Sequence, residues 1–404
     1  MRAAIRQYLV ITGNYWAFTL TDGALRMLVV LHFHQLGYSP LEIALLFIFY
    51  EFFGVVTNLV GGYLGARLGL NLTMNIGLFL QIVALAMLAV PAAMLTVPWV
   101  MAAQAMSGIA KDLNKMSAKS GIKLLVPDEQ QGTLYKWVAI LTGSKNTLKG
   151  VGFFLGGVLL MTAGFTGAVI IMAVALGLVW LASLFLLKQE LGKSTAKPRF
   201  REILSKSRAI NVLSAARMFL FGARDVWFVV ALPVYLNTVF GWDHRQVGGF
   251  MASWIIGYGF IQTLAPKITG SSNTHTPGRG PAVAWAAALA LIPAAIASGL
   301  TADLPPQPVI IGGLLLFGVL FAVNSSLHSY LIVSFARGDG VSLDVGFYYM
   351  SNAAGRLLGT VLSGWVYQNH GLEACLWISA ALVATAAALA AGLPQKQAIR
   401  PQQA

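Results

Sequence analysis

Charge is what this sequence has least of. Asp, Glu, Lys and Arg make up 10% of its 404 residues, and 57% are hydrophobic, whereas an ordinary soluble domain carries roughly 25% charged residues. A large soluble core is excluded, because polar surface segments are almost absent between the apolar runs. Cysteine is nearly missing as well. The single Cys375 lies in an apolar run, which rules out a disulfide framework and a thiolate metal cluster. No small-residue cleavage site follows Arg2 and Arg6, so the N-terminal apolar run is read as a retained helix. Histidines at metal-ligand spacing, a nucleophile elbow and a dinucleotide fingerprint are also missing. The expectation is a protein that is not an enzyme and needs no metal or cofactor. The stretch "GKST" at Gly192 imitates a phosphate-binding loop, but Leu187 stands where the required glycine should be.

What is present is a series of apolar runs, at roughly 12–36, 41–65, 72–93, 97–122, 134–161, 166–187, 211–238, 246–266, 281–300, 308–336, 343–368 and 372–393. Each can cross about 30 Å of hydrocarbon at 1.5 Å per residue. The fold class read from them is an all-α membrane protein of twelve transmembrane helices. They divide six and six around one polar connection, giving an N-terminal half 1–187, a central loop 188–210 and a C-terminal half 211–404.

The net charge of +13 could indicate nucleic acid or anionic lipid. Its distribution decides otherwise. Counted from an inside N-terminus, one side receives Arg2, Arg6, Arg67, Lys119, Lys123, Lys136, Lys267, Arg279, Arg337, Lys396, Arg400 and seven cations of the central loop. The other side receives Arg245 alone. This is the positive-inside pattern, which places both termini in the cytoplasm and accounts for the charge without nucleic acid.

Eight cations do not fit that scheme, because they fall within apolar runs: Arg26, Lys111, Lys115, Lys145, Lys149, Arg217, Arg224 and Arg356. Lys145 and Lys149 stand one turn apart in "TGSKNTLKG", with apolar sequence on both sides. Each central cation costs about 2.5–3.5 kcal/mol to insert unless it meets water or a partner. Asp22 with Arg26 and Asp112 with Lys115 have the spacing of helix-face pairs. Arg224 and Asp225 are adjacent and are expected to seek partners on other helices. Arg217 lies close enough to the start of its run to snorkel to the interface. Acids at comparable depth, namely Asp22, Glu51, Asp112 and Asp225, are too few to neutralise the set. Surplus cations facing a wet cavity call for a multiply anionic ligand, since one phosphoryl group alone carries about −1.5 to −2.

Weak internal repetition supports two related halves. Gly152 and Gly156 recur as Gly355 and Gly359, and "GYSPLEIALLF" is echoed by "GWDHRQVGGFM". With "GGYLGARLGLN", where Ala66 replaces the usual aspartate, and "GFFLGG", where Phe153 replaces the usual proline, the plan resembles the major facilitator superfamily. That resemblance implies a substrate site near the midplane, lined by spans 1, 4, 5, 7, 10 and 11. The unexpected cations lie on spans 1, 4, 5, 7 and 11, while span 10 supplies "NSSLHSY" with His328. Arginines on spans 1 and 7 are similar in logic to organophosphate antiporters.

The stretches "TGNYWAFTLTDGALRMLVVLHFHQLGYSP", "SGIAKDLNKMSAKS", "LTGSKNTLKGVGFFLGG" and "SKSRAINVLSAARMFLFGARDVWFVV" more narrowly resemble the ArsJ family of organoarsenical efflux permeases. That likeness implies export of 1-arseno-3-phosphoglycerate across the bacterial inner membrane, with arsenate resistance as the outcome. A glyceraldehyde-3-phosphate dehydrogenase would be the functional partner, and the carrier would work as a monomer in the lipid bilayer. The expected substrate-binding residues are Arg26, Lys111, Lys115, Lys145, Lys149, Arg224, His328, Asn352 and Arg356. Asp22, Glu51 and Asp112 are candidate proton carriers. An organophosphate/phosphate antiporter and a proton-coupled exporter of another small anion are the alternatives.

Overall fold

The structure is a computed structural model that describes residues 2–38, 46–187, 191–194, 206–272 and 275–395, with backbone only at 2, 3, 244 and 245. Lys188, Lys197, Arg199, Arg201, Lys396, Arg400, Thr195 of "GKST" and the start of the second apolar run lie outside the described residues.

Within them the chain is helical, with no strand. The helices are α1 (Arg2–Gln35), α2 (Ile48–Leu68), α3 (Leu70–Leu88), α4 (Val97–Leu125), α5 (Gln131–Leu186), α6 (Arg208–Phe228), α7 (Ala231–Thr238), α8 (His244–Ile268), α9 (Arg279–Thr301), α10 (Pro306–Phe335) and α11 (Val341–Ala390). Two are too long for one crossing, at 56 and 50 residues, and each breaks at a glycine: Gly164 (φ 68°) in α5 and Gly371 (φ 75°) in α11. Positive φ is a conformation that side chains with a Cβ resist, so these glycines turn one helical run into two spans. With α6 and α7 forming a single crossing, the twelve expected spans are all present.

Seven of the described helices are apolar enough along their length to cross a bilayer. The three long ones outside that group are α1, α2 and α4. These carry Asp22, Arg26, Glu51, Lys111, Asp112 and Lys115, whereas Lys145, Lys149, Arg217, Arg224 and Arg356 lie on helices of the apolar group.

The chain forms two compact units, one of residues 1–125, 144–205 and 336–353, the other of residues 126–143, 206–335 and 354–404. In the first, the glycines of "GFFLGG" bring backbones together. A Cβ on Gly152 would stand 2.7 Å from the Leu20 carbonyl oxygen, and one on Gly156 would stand 2.3 Å from that of Ala24. The second unit repeats this device. A Cβ on Gly355 would meet the Met218 oxygen at 2.1 Å, and one on Gly359 the Gly222 oxygen at 2.6 Å. Small residues let helices touch where lipid supplies no hydrophobic drive between them, so both glycine pairs are packing elements.

A buried polar relay adds to the first unit. Ser183 Oγ accepts from Asn14 Nδ2 at 2.8 Å and donates to Asn75 Oδ1 at 2.7 Å, linking α5 to α1 and α3. Interhelical bonds of this type contribute roughly 0.6–1.7 kcal/mol each in membranes. Ser183→Ala is therefore expected to lower the thermal unfolding midpoint of the detergent-purified protein. An unchanged midpoint would show that the relay adds nothing.

Candidate functional site

The first unit gathers its charges around Tyr50 of α2. The phenol donates to both oxygens of Asp22, at 2.7 and 3.0 Å. Lys111 Nζ lies 3.7 Å from the centre of the same ring, and the Arg26 guanidinium lies 5.1 Å from it. Arg26 also lies 5.0 Å from the Phe47 ring and pairs with Glu51 at 3.2 Å. The expected pairing of Asp22 with Arg26 is not made, because the Tyr50 hydroxyl takes the carboxylate and Glu51 offers the guanidinium a partner on α2.

Along α4, Lys115 pairs with Asp112 at 2.6 Å, as their spacing implies. The other Asp112 oxygen, Oδ2, is buried and accepts no hydrogen bond. Gly54 leaves room beside it: a Cβ there would stand 3.2 Å from that oxygen and 4.0 Å from Lys111 Nζ. The Lys115 and Lys119 ammonium groups lie 4.8 and 4.7 Å from the centre of the Tyr349 ring, and Lys119 donates to the Tyr349 hydroxyl. By its place near the end of an apolar run, Lys119 is expected to be a topology charge on the cytoplasmic side. It is instead 3% exposed inside the unit. Its signal was the register of α4, since positions 111, 115 and 119 share one face.

Lys145 and Lys149 of α5 are half-buried. Lys149 Nζ lies 5.9 Å from the Phe153 ring, and its backbone carbonyl packs on Gly23 of α1. Asn352 is buried. Among the described residues this unit gathers the cations Arg26, Lys111, Lys115, Lys119, Lys145 and Lys149 with the acids Asp22, Glu51, Asp112 and Asp344. Lys111 makes no ion pair with any described residue. Among the described residues its half-buried ammonium is held by the face of Tyr50, a contact contributing about 0.5–2 kcal/mol.

The second unit holds a separate cluster. Asp225 is fully buried, with Arg224 at 2.5 Å and Arg356 of α11 at 3.1 Å. Asp225 finds a partner on another helix, as expected from its place beside Arg224, in Arg356 of α11, whereas Arg224 pairs with its own neighbour. The long arginine side chain folds back onto its neighbour, and Asp225 bridges two guanidiniums. Arg224 is also ringed by Phe221, Phe228 and Phe321, at 5.0, 5.6 and 5.5 Å.

Arg26 and Arg224 occupy equivalent registers, since α1 residues Leu20 and Ala24 meet their glycines as α6 residues Met218 and Gly222 meet theirs. Each guanidinium therefore sits beside aromatic rings and one carboxylate on the first helix of its half. Arg217 does not snorkel to the interface: it is 3% exposed, and its Nη1 donates to the Ser325 carbonyl at 3.1 Å. His328 is fully buried within the second unit, where it lines no open surface.

The sequence profile of the Major Facilitator Superfamily matches residues 9–343. Sequence comparison with curated proteins finds no match. Among solved structures, the human organic anion transporter TETRAN superposes with a TM-score of 0.75 at 17% identity, covering 96% of this chain and 99% of its own. The E. coli fucose:proton symporter FucP gives 0.74 at 13% identity, covering 98% and 100%. The proton:xylose symporter XylE gives 0.74 at 14%, covering 96% and 95%. At these identities the likeness establishes the fold. A profile spanning most of the chain, on a twelve-span helical fold with paired glycine contacts in both halves, places this protein in the major facilitator superfamily of membrane carriers.

Proposed function

We propose that the protein exports a small, multiply charged anion, the organoarsenical 1-arseno-3-phosphoglycerate, from the bacterial cytoplasm. It would act in the inner membrane with both termini inside. The observation that carries this reading is Lys111, a half-buried ammonium on a membrane helix with no ion pair to a described residue. Around it, Arg26 and Lys115 add positive charge, and Tyr50 orients the set. A phosphate or arsenate group brought to Lys111 would replace the hydration of that ammonium with a charge-assisted bond. Asp22 and Glu51 are each already engaged, by Tyr50 and Arg26. Asp112 keeps one oxygen open, so a proton there would lower the local negative charge as an anion arrives.

The particular organoarsenical rests on the resemblance of the four stretches to ArsJ-type permeases. It implies that a glyceraldehyde-3-phosphate dehydrogenase must supply the cargo. The test is arsenic accumulation in arsenate-exposed cells with and without this gene, each with and without the dehydrogenase. Reduced accumulation only with both genes is the expected outcome. Reduction by the carrier alone would assign free arsenate as cargo, and no reduction in any strain would overturn arsenical export.

A further inference from the structure

A second polar cluster lies inside the second unit and takes no part in the anion reading above. On α10, Ser325, His328 and Ser329 share one helix face, by their three- and four-residue spacing. On α6, Ser214 and Arg217 share another. The Arg217 bond to the Ser325 carbonyl joins these faces. The two segments are the seventh and tenth crossings and run antiparallel, so Ser214 then comes level with His328. All five residues are at most 3% exposed.

Their polar atoms are open inside this enclosure. Ser214 Oγ, Ser325 Oγ, Ser329 Oγ and both ring nitrogens of His328 are buried without a hydrogen-bond partner. Buried polar atoms are almost always satisfied by protein, water or an ion. Four side chains opening together on one helix–helix seam, in a region without bulk water, imply an occupant. The chemistry selects its sign. Three hydroxyls and one imidazole N–H can donate together, and Arg217 contributes a permanent positive charge whose plane also stacks 3.9 Å from the centre of the Phe221 ring. A cation would meet that guanidinium unfavourably. Asp225 is two turns further along α6 and is already bridged between Arg224 and Arg356.

We propose that Arg217, Ser214, Ser325, His328 and Ser329 form an internal site for one small monovalent anion of the halide class. The donors are few and set on a closely packed seam of two helices, which favours a compact halide over a larger tetrahedral oxyanion. An anion there would tie α6 to α10, so the stability of the protein would depend on halide apart from its cargo.

The test uses the purified full-length protein at constant ionic strength, with chloride exchanged for gluconate, bromide or sulfate. The expected result is a saturable rise of the thermal midpoint with chloride and bromide, not reproduced by gluconate or sulfate. The Ser325→Ala/Ser329→Ala double variant should need about tenfold more chloride for half that rise, the effect of losing one or two hydrogen bonds to a charged partner. Equal midpoints in chloride and gluconate, or an equal rise with sulfate, would overturn the proposal. Should the double variant fail to fold, crystals of the wild-type protein grown in bromide decide the matter. An anomalous peak between Arg217 and His328 supports the site, and ordered water there in its place refutes it.

Discussion

Lys111→Met is expected to reduce export of the proposed anionic cargo by about ten- to a hundredfold at subsaturating substrate, with unchanged abundance in the membrane. Methionine keeps the length and packing of the side chain and removes only the ammonium. A hydrogen bond to a charged group contributes about 1.5–3 kcal/mol, and each 1.4 kcal/mol is a tenfold change. Abundance should hold because the ammonium has no ion-pair partner to strand. Lys115→Met is the informative contrast. Asp112, 1% exposed at its side chain, would lose its cation, and a buried charge left alone destabilises by about 3–5 kcal/mol. That variant should lose protein as well as transport. Lys149→Ala, which removes a half-buried cation of α5, is also expected to reduce export. The measurement is arsenical uptake by inverted vesicles, normalised to carrier content. Wild-type uptake by Lys111→Met would remove the residue from the cargo path.

The fold was legible because membrane insertion imposes length and apolarity on every span. The predicted ends at 134–161 and 166–187 fall on either side of Gly164, where α5 turns. The glycine repeat was legible for the same kind of reason, since backbone contact in lipid demands small residues in fixed register. Charge partners were much less so. Asp22 and Arg26 have the spacing of a pair, yet Tyr50 and Glu51, reached only through tertiary packing, take one each. Tyr50 and Tyr349 were invisible as site residues because an aromatic residue in a membrane run reads as lipid-facing. Lys119 and Arg217 were assigned by distance from a helix end, a rule that is blind to the direction the side chain takes. The correspondence of Arg26 on span 1 with Arg224 on span 7 was loosely legible in the sequence, and the glycine contacts of α1 and α6 give it its register.

Gly143→Val is expected to abolish export while leaving a folded protein in the membrane. A Cβ at this position would stand 2.4 Å from the Gly259 carbonyl oxygen, 2.5 Å from Thr263 Cγ2 and 2.7 Å from the Thr263 nitrogen. Two of these three atoms belong to the backbone of α8 and cannot rotate away. The first turns of α5 must then separate from α8, at a cost of about 1–3 kcal/mol or more for an overpacked contact. Other bonds of this segment depend on the same approach. Gln131 Oε1 accepts from Tyr330 at 3.1 Å and from Ser334 at 2.9 Å, and the Tyr135 and Tyr330 rings stack at 4.7 Å. A carrier that works by alternating access passes through every member of its set of helix packings, so losing one packing stops the cycle without unfolding the chain. Gly143→Ala should give an intermediate rate. Gly177→Ala, where an added Cβ meets nothing within 4 Å, should transport as wild type. Vesicle uptake together with the thermal midpoint separates the outcomes. Full transport by Gly143→Val would mean that this close approach is dispensable, and loss of the folded protein would make it a folding contact in place of a working one.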